Sequence, residues 1–325
     1  MFVPHTLSMA LGMMAVSALC WGSWANTYKG TKNYRFELFY WDYAVAIFLV
    51  SLLLALTLGM MGSDGNDFLS NLRAVDASNV GYALLAGVIF NVANILLVAG
   101  IDMAGLATAF PVAIGIALVV GVVMSYIQQP RGDALLLALG VGSAVVAIVM
   151  DGMAYAQVGS RRQVASRKSL LICILAGLLM GSFAPLIAHA MSRGNTLGPY
   201  GASVFFTLGA LVCCFGANVY LMRHPLVGDP VDFSGYFSTT FSNHALGLLG
   251  GGVWAVGTVF NFVAASLTGV AISYALGQSA PMVAAVWGIF VWKEFAGAGP
   301  KAKAYLALMF VFYLLAIALI SRVYR

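Results

Sequence analysis

Leu84–Ala107 reads LLAGVIFNVANILLVAGIDMAGLA, and Leu248–Ala271 reads LLGGGVWAVGTVFNFVAASLTGVA. At an offset of 164 residues, Leu84-Leu85 fall on Leu248-Leu249, Gly87 on Gly251, Gly105 on Gly269 and Ala107 on Ala271. A second echo lies upstream at offset 159, where Trp21-Gly22-Ser23-Trp24-Ala25 answers Met180-Gly181-Ser182-Phe183-Ala184. A third, at offset 169, sets Leu137-Ala138-Leu139 and Ala147-Ile148 on Leu306-Ala307-Leu308 and Ala316-Ile317. Offsets that grow in steps of five predict two copies of one unit, the second with longer loops. The copies divide the chain into residues 1–160 and 161–325.

Composition says where such a chain lives. Hydrophobic residues make up 62% and charged residues 8%, against about a quarter charged in soluble domains. A surface cannot be covered with so few polar groups, so the chain belongs in a bilayer. Cys20, Cys173, Cys213 and Cys214 all fall in apolar segments, as small core residues rather than a disulfide or metal framework. The first twenty residues contain no Lys or Arg, which argues against a cleaved secretory leader. The net charge of +5 comes from loop residues and does not point to nucleic acid.

Crossing the hydrocarbon takes about 20 apolar residues. Ten segments qualify: 6–27, 39–61, 79–100, 104–127, 133–155, 169–191, 199–222, 243–266, 269–291 and 302–322. Asp102 and Gly105 split the third from the fourth, and Thr268 and Gly269 the eighth from the ninth, predicting tight hairpins. The longest connections, near 62–78 and 223–242, read as Gly, Pro, Asp and Ser stretches. Five helices per copy is odd, so the second copy is inverted in the membrane. The expected fold is therefore all-α, an inverted 5+5 repeat.

Odd-numbered connections carry eleven Lys and Arg, including Arg161, Arg162, Arg167 and Lys168, while even-numbered ones and the termini carry five. This bias puts the odd connections in the cytoplasm and both termini outside.

Ten helices in two halves with these hairpins resemble the drug/metabolite transporter superfamily. Within it, the branch of ureide permeases and glucose/ribose/rhamnose porters is most similar. Ala18-Leu19-Cys20-Trp21-Gly22-Ser23-Trp24-Ala25-Asn26 resembles that branch's first-helix motif. Tyr40-Trp41-Asp42-Tyr43 and Leu56-Thr57-Leu58-Gly59 resemble the start and finish of its second helix. Phe290-Val291-Trp292-Lys293-Glu294 is similar to its ninth-helix ending. The resemblance covers essentially the whole chain; the family's longer central loop, with its nucleotide-binding-like motif, has no counterpart in this short linker. It implies a proton-coupled symporter in a bacterial-type inner membrane, carrying sugars or ureides and nucleobases, with no cofactor.

No run has metal-ligand spacing, a nucleophile elbow or a phosphate-binding loop, and His5, His189, His224 and His244 are scattered. His189 is the one histidine placed clearly inside a span, so an integral membrane enzyme is poorly supported. What remains at membrane depth is neutral and polar. Asn91 and Asn94 share a face of the third helix, as do Trp254, Thr258 and Asn261 on the eighth and Tyr274 and Gln278 on the ninth. The 164 offset sets Trp254 on Phe90 and Thr258 on Asn94. Any one of these groups also serves as interhelical glue. Together they predict a central cavity lined by Asn91, Asn94, Trp254, Asn261, Tyr274 and Gln278, with Trp24 at its edge. Amides and indoles suit a neutral polar substrate, and the lack of midspan Lys or Arg argues against organic anions. The rival on the same fold is an exporter of amphipathic drugs or metabolites. Asp42, Asp151 and Glu294 are the proton-coupling candidates. Asp42 is expected near Lys29, Lys32 and Arg35, and Asp102 in the third/fourth hairpin.

Overall fold

A computed structural model describes residues 1–61, 67–158, 166–225 and 228–323, without the side chains of Asp102, Leu106, Ala107 and Phe110. Arg161, Arg162 and Arg325 lie outside the described residues. Among the described residues, ten helices are long and apolar enough to span a membrane. They are α1 Leu7–Lys29, α2 Phe36–Met60, α3 Ala77–Ile101, α4 Pro111–Gln128, α5 Ala134–Val158, α6 Arg167–Ala190, α7 Pro199–Arg223, α8 Phe241–Thr268, α9 Val270–Phe290 and α10 Pro300–Ile320. No strand occurs among the described residues. The chain is a multi-pass integral membrane protein. Its outward side chains agree, since Leu49, Leu53, Val212, Phe215, Leu308, Val311 and Leu314 are all exposed, as lipid requires and water would penalise.

Local chemistry sets the helix ends. Thr6 caps α1 by accepting from the Met9 amide, and Ser166 caps α6 by accepting from Ser169. Proline opens α7 and α10, where a missing amide hydrogen costs nothing. Helical structure at α3 continues from Ala77 to Ala104, 28 residues, and α8 is likewise 28 residues. Each stops at a glycine in the left-handed half of φ, Gly105 at 74° and Gly269 at 89°, a conformation that side chains resist. Asp102 therefore sits in the last turn of α3 and not in the hairpin, which is Gly105 alone. The connections 62–78 and 223–242 hold short helices, Phe68–Ala74 and Phe233–Ser238. Asp67 caps the first by accepting from Ser70 and Asp232 the second by accepting from Ser234. These bonds favour the ionised form and hold both carboxyls below their usual pKa. Composition alone hid these helices because each is only one or two turns long.

Helix packing follows one scheme. α1 lies on α8 as α6 lies on α3, α2 on α8 as α7 on α3, and α9 on α1 as α4 on α6. Across the middle α2 meets α7 and α4 meets α9, while α5 and α10 pair at the side. Adding five to each helix number returns the same scheme. Gly87 presses against the Phe206 carbonyl of α7, and Gly251 against the Tyr43 carbonyl of α2, so close that a Cβ at either position would clash. Loop contacts sort into two faces. Lys29 reaches Glu294, and the Lys32 amide donates to Asn243 on one face. Asp76 accepts from Asn195, and Arg131 donates to the Leu267 carbonyl on the other. The first group joins odd connections and the ends of helices beside them, the second even ones.

Candidate functional site

Rings fill the centre of the bundle. Trp254 of α8 stacks on Phe90 of α3 with centroids 4.8 Å apart and planes at 29°. Phe206 of α7 lies 6.1 Å from Trp254 and Tyr43 of α2 6.3 Å. Trp21 of α1 stands 6.2 Å away with its plane inclined at 21°. Trp24, at the break between helical segments Leu7–Ser23 and Ala25–Lys29, packs 4.8 Å from Tyr43. Tyr274 enters through Phe183, which is 5.6 Å from it and 5.7 Å from Phe90. Offset and stacked pairs of this kind contribute about 0.5–1.5 kcal/mol each beyond burial.

Beside the rings is an amide network. Tyr40 donates to Asn91 Oδ1 at 2.9 Å, and Asn94 Nδ2 donates back to the Tyr40 hydroxyl at 3.2 Å. The Cys214 thiol of α7 also donates to Asn91 Oδ1, at 3.3 Å. Asn91 is fully buried, and its Nδ2 has no partner; the Tyr43 hydroxyl is likewise buried and unpartnered. An unmet donor in a dry interior costs about 1–3 kcal/mol, which a ligand carrying an acceptor would recover.

Asn261 belongs to a different setting. It lies seven residues beyond Trp254, about 10 Å along the helix at 1.5 Å per residue. Its Nδ2 donates to Ser17 Oγ (3.2 Å) and to the Ser273 carbonyl (2.9 Å), while its Oδ1 accepts from the Ser273 hydroxyl (3.2 Å). Both hydrogens are spent on joining α1, α8 and α9. Tyr274 donates to the Ala117 carbonyl at 3.4 Å, and Gln278 sits where α9 breaks between Gly277 and Ala280. Thr258 accepts from Trp21 Nε1 at 3.0 Å, again as a helix tie.

A cavity of about 380 Å³ opens on the odd-connection face between α2, α3 and α7, with Phe36, Ile95, Val98 and Asn218 in its wall. Ile95 and Val98 lie one helical turn beyond Asn91 and Asn94 on the same side of α3. The cavity stops short of Trp254. Phe36, Tyr40 and Tyr43 stand between them as a ladder of rings 5.2 and 5.3 Å apart.

The acidic candidates have partners that the chain order did not suggest. Asp42 is 5% exposed; Tyr236 donates to its Oδ1 at 2.7 Å, and His244 Nδ1 lies 2.8 Å from its Oδ2. The Tyr34 hydroxyl lies 3.5 Å from the same oxygen. Burial first, then the Asp42 carboxylate, raises the phenol pKa of Tyr34 and of Tyr236 well above the ordinary value, so both keep their protons and donate. Of Lys29, Lys32 and Arg35, all expected near Asp42, Lys29 and Arg35 turn elsewhere and Lys32 is held by its backbone to Asn243. Lys29 pairs with Glu294 and covers the Trp292 ring, and Arg35 pairs with Glu37 and donates to the Asp229 carbonyl. The Glu37 hydrogen bond raises the Arg35 pKa further. The side chain beside the Asp42 carboxyl is a histidine from the first turn of α8, 202 residues away in sequence. Thus His189 is not the sole histidine in a span; its ring packs 4.1 Å from Tyr82. Asp151 is buried in α5 with Oδ1 unpartnered, as is the Tyr313 hydroxyl of α10. Glu294, in the turn after α9, accepts from Tyr155 at 2.9 Å.

Ten apolar spans around a buried core of rings and amides, with a vestibule on one face, define a polytopic protein of the permease kind. The ureide permease family model matches residues 39–169 and 157–322, and the chain belongs to that family. The chain is 21% identical to Ureide permease 1 of Arabidopsis thaliana, over 98% of both chains. It is also 21% identical to Ureide permease 5 of the same plant, over 98% of this chain and 95% of the relative. A solved crystal structure shares the fold with a TM-score of 0.65 at 16% identity, covering 95% of this chain and 96% of the other. This protein is therefore a membrane transporter and not an enzyme.

Proposed function

We propose that this chain is a secondary active transporter that binds a small neutral polar solute of the ureide or nucleobase type between two inverted five-helix halves, residues 1–160 and 161–325. The observation that carries the reading is the buried Asn91 amide with its unpartnered Nδ2, beside Asn94 and the Trp254–Phe90 stack. A planar ring with carbonyl and N–H edges meets both: its face against the rings, its edge against the amides. Sugars, which the resemblance also allows, remain a second substrate class, because hydroxyls use the same amides. The shared packing scheme of the two halves supports the inverted repeat and placement within the drug/metabolite transporter superfamily.

Proton coupling belongs to the same proposal. Asp42, Asp151 and Glu294 all lie toward the odd-connection face, which the Lys and Arg bias assigns to the cytoplasm of a bacterial-type inner membrane. Asp42 leads, because the partly exposed His244 offers it a path to water. The test is uptake by reconstituted proteoliposomes of labelled cyclic ureides, nucleobases and hexoses, with and without an imposed pH gradient. Saturable uptake of the first two classes, raised by an acidic exterior, is the expected result. Uptake of hexoses alone would move the substrate assignment to sugars.

A further inference from the structure

The Tyr40 hydroxyl stands between two amides, 2.9 Å from Asn91 Oδ1 and 3.2 Å from Asn94 Nδ2. It owns a single hydrogen. With that hydrogen given to one amide, the hydroxyl donates to that amide's oxygen and accepts from the nitrogen of the other, as Asn91 and Asn94 are arranged here. The ends pointing away from Tyr40 must then differ in kind, one an NH2 and the other a C=O. Turning both amides over exchanges the two labels and leaves that outcome intact. The Cys214 thiol selects between the two arrangements, since it is a better donor than acceptor and lies 3.3 Å from Asn91 Oδ1. Asn91 thus presents its Nδ2, which has no partner in the protein, and Asn94 presents Oδ1, the end that Tyr40 does not engage.

Residues three apart on a helix lie side by side. Asn91 and Asn94 consequently offer one donor and one acceptor from the same face of α3. This is the complement of a cis-amide edge, where N–H and C=O are adjacent and coplanar, as in a lactam, an imide or a cyclic ureide. We propose that Tyr40 is a positioning residue that fixes opposite hydrogen-bond polarity on Asn91 and Asn94, and so makes the site select ligands with a cis-amide edge over isosteres bearing acceptors only. Tyr40 need not touch the ligand to do this. It is fully buried, stacked on Tyr43 at 5.3 Å and tilted against Phe36 at 5.2 Å, so the hydroxyl cannot swing away. The proposal rests on the reading of Asn91 and Asn94 as the substrate site.

Two five-membered rings of the same shape test it. 2-Imidazolidinone carries N–H beside C=O; ethylene carbonate has ring oxygens in place of both N–H groups. Binding of each to purified protein is titrated by saturation-transfer NMR. The native protein should prefer 2-imidazolidinone by about tenfold, the worth of one hydrogen bond into a buried site. In Tyr40→Phe the amides are released, Asn94 can turn its NH2 toward the ligand, and the preference should fall to within about twofold. Tyr200→Phe removes a buried phenol hydroxyl that donates to the Phe2 carbonyl, away from the two amides; it should keep the native ratio, a contrast that general loosening of the bundle would not produce. A folded Tyr40→Phe that retains the native ratio overturns the positioning role while leaving the site reading standing. Native protein that binds neither ring overturns the site reading and the positioning role with it. If Tyr40→Phe does not fold, Asn94→Ala carries the test: it removes the acceptor, so the preference must vanish while ethylene carbonate still binds, and a preserved preference overturns the proposal.

Discussion

Phe90 and Trp254 occupy equivalent places in the two sequence echoes, 164 residues apart, and their rings stack on each other at 4.8 Å. Residues related by a twofold axis touch only close to that axis. The neighbours repeat the relation: Tyr43 and Phe206, 163 apart, both contact Trp254 and both receive a glycine of the other half against their carbonyls. Gly22 abuts Ala280 and Val283, and Gly181 abuts Ala117 and Val120, again in matched places. A stack between the two halves at the bundle centre is where a solute would be in contact with both of them.

The first prediction follows from that position. Trp254→Phe keeps a ring against Phe90 and should leave the melting temperature within a few degrees, while uptake falls about tenfold through loss of the larger indole face. Trp254→Ala should abolish uptake and also destabilise, since large-to-small changes in packed cores cost about 3–5 kcal/mol. Initial rates in proteoliposomes set beside thermal unfolding separate the two effects. Unchanged uptake by Trp254→Phe alongside full activity of Trp254→Ala would remove the stack from the pathway.

Asn94 and Asn261 should behave differently although both are buried asparagines. Asn94→Ala should cost more than tenfold in uptake with little loss of folded protein. Asn261→Ala breaks three side-chain bonds between α1, α8 and α9, and should lower thermal stability while the KM of the remaining folded protein stays within about twofold. Interhelical bonds in membranes average about 0.6 kcal/mol each, so a loss of one to two kcal/mol, roughly three such bonds, is the expected scale. A raised KM in Asn261→Ala would return it to the cavity.

The spans, the hairpins at Gly105 and Gly269 and the amide pair of α3 were legible because hydrophobic length, glycine placement and i, i+3 spacing are local properties. The partners were not. Tyr40 and Tyr43 were visible only as part of a motif, although their own three-residue spacing on α2 mirrors that of Asn91 and Asn94. His244 meets Asp42 only after α2 and α8 pack, and Lys29 leaves Asp42 for Glu294 for the same reason. Asn261 had the right residue type and helix, but Ser17 and Ser273, which consume its hydrogens, come from two other helices. Charge proximity in sequence is a poor guide where the helices that bring partners together are hundreds of residues apart.

Orientation is tested by cysteine labelling. Arg131 lies on the even-connection face and Lys301 on the odd one. With the odd face cytoplasmic, a membrane-impermeant maleimide added to intact cells should label Arg131→Cys and spare Lys301→Cys until the cells are opened. The reverse pattern would turn the protein over and place the 380 Å³ vestibule on the outside.

The last prediction concerns Asp42 and His244. A carboxylate at 5% exposure is stable in a bilayer only with compensating charge or donors; here two phenols donate and an imidazole nitrogen lies beside it. The phenols keep their protons, so any change of charge in this cluster falls on the carboxyl or the imidazole. The His244 side chain is 24% exposed against 6% for that of Asp42, so the imidazole lies nearer the face of the membrane and the carboxyl deeper. Asp42→Asn keeps the shape and the Tyr236 bond but removes the carboxylic acid, the group proposed to carry the coupled proton. It should therefore eliminate accumulation driven by a pH gradient while sparing exchange of labelled for unlabelled substrate. His244→Gln keeps a hydrogen-bonding group beside Asp42 without a titratable one, and should slow pH-driven uptake about tenfold or more while exchange continues. Accumulation by Asp42→Asn equal to that of the native protein would make this cluster a structural tie between α2 and α8, and would leave coupling to Asp151 beside Tyr313 or to Glu294.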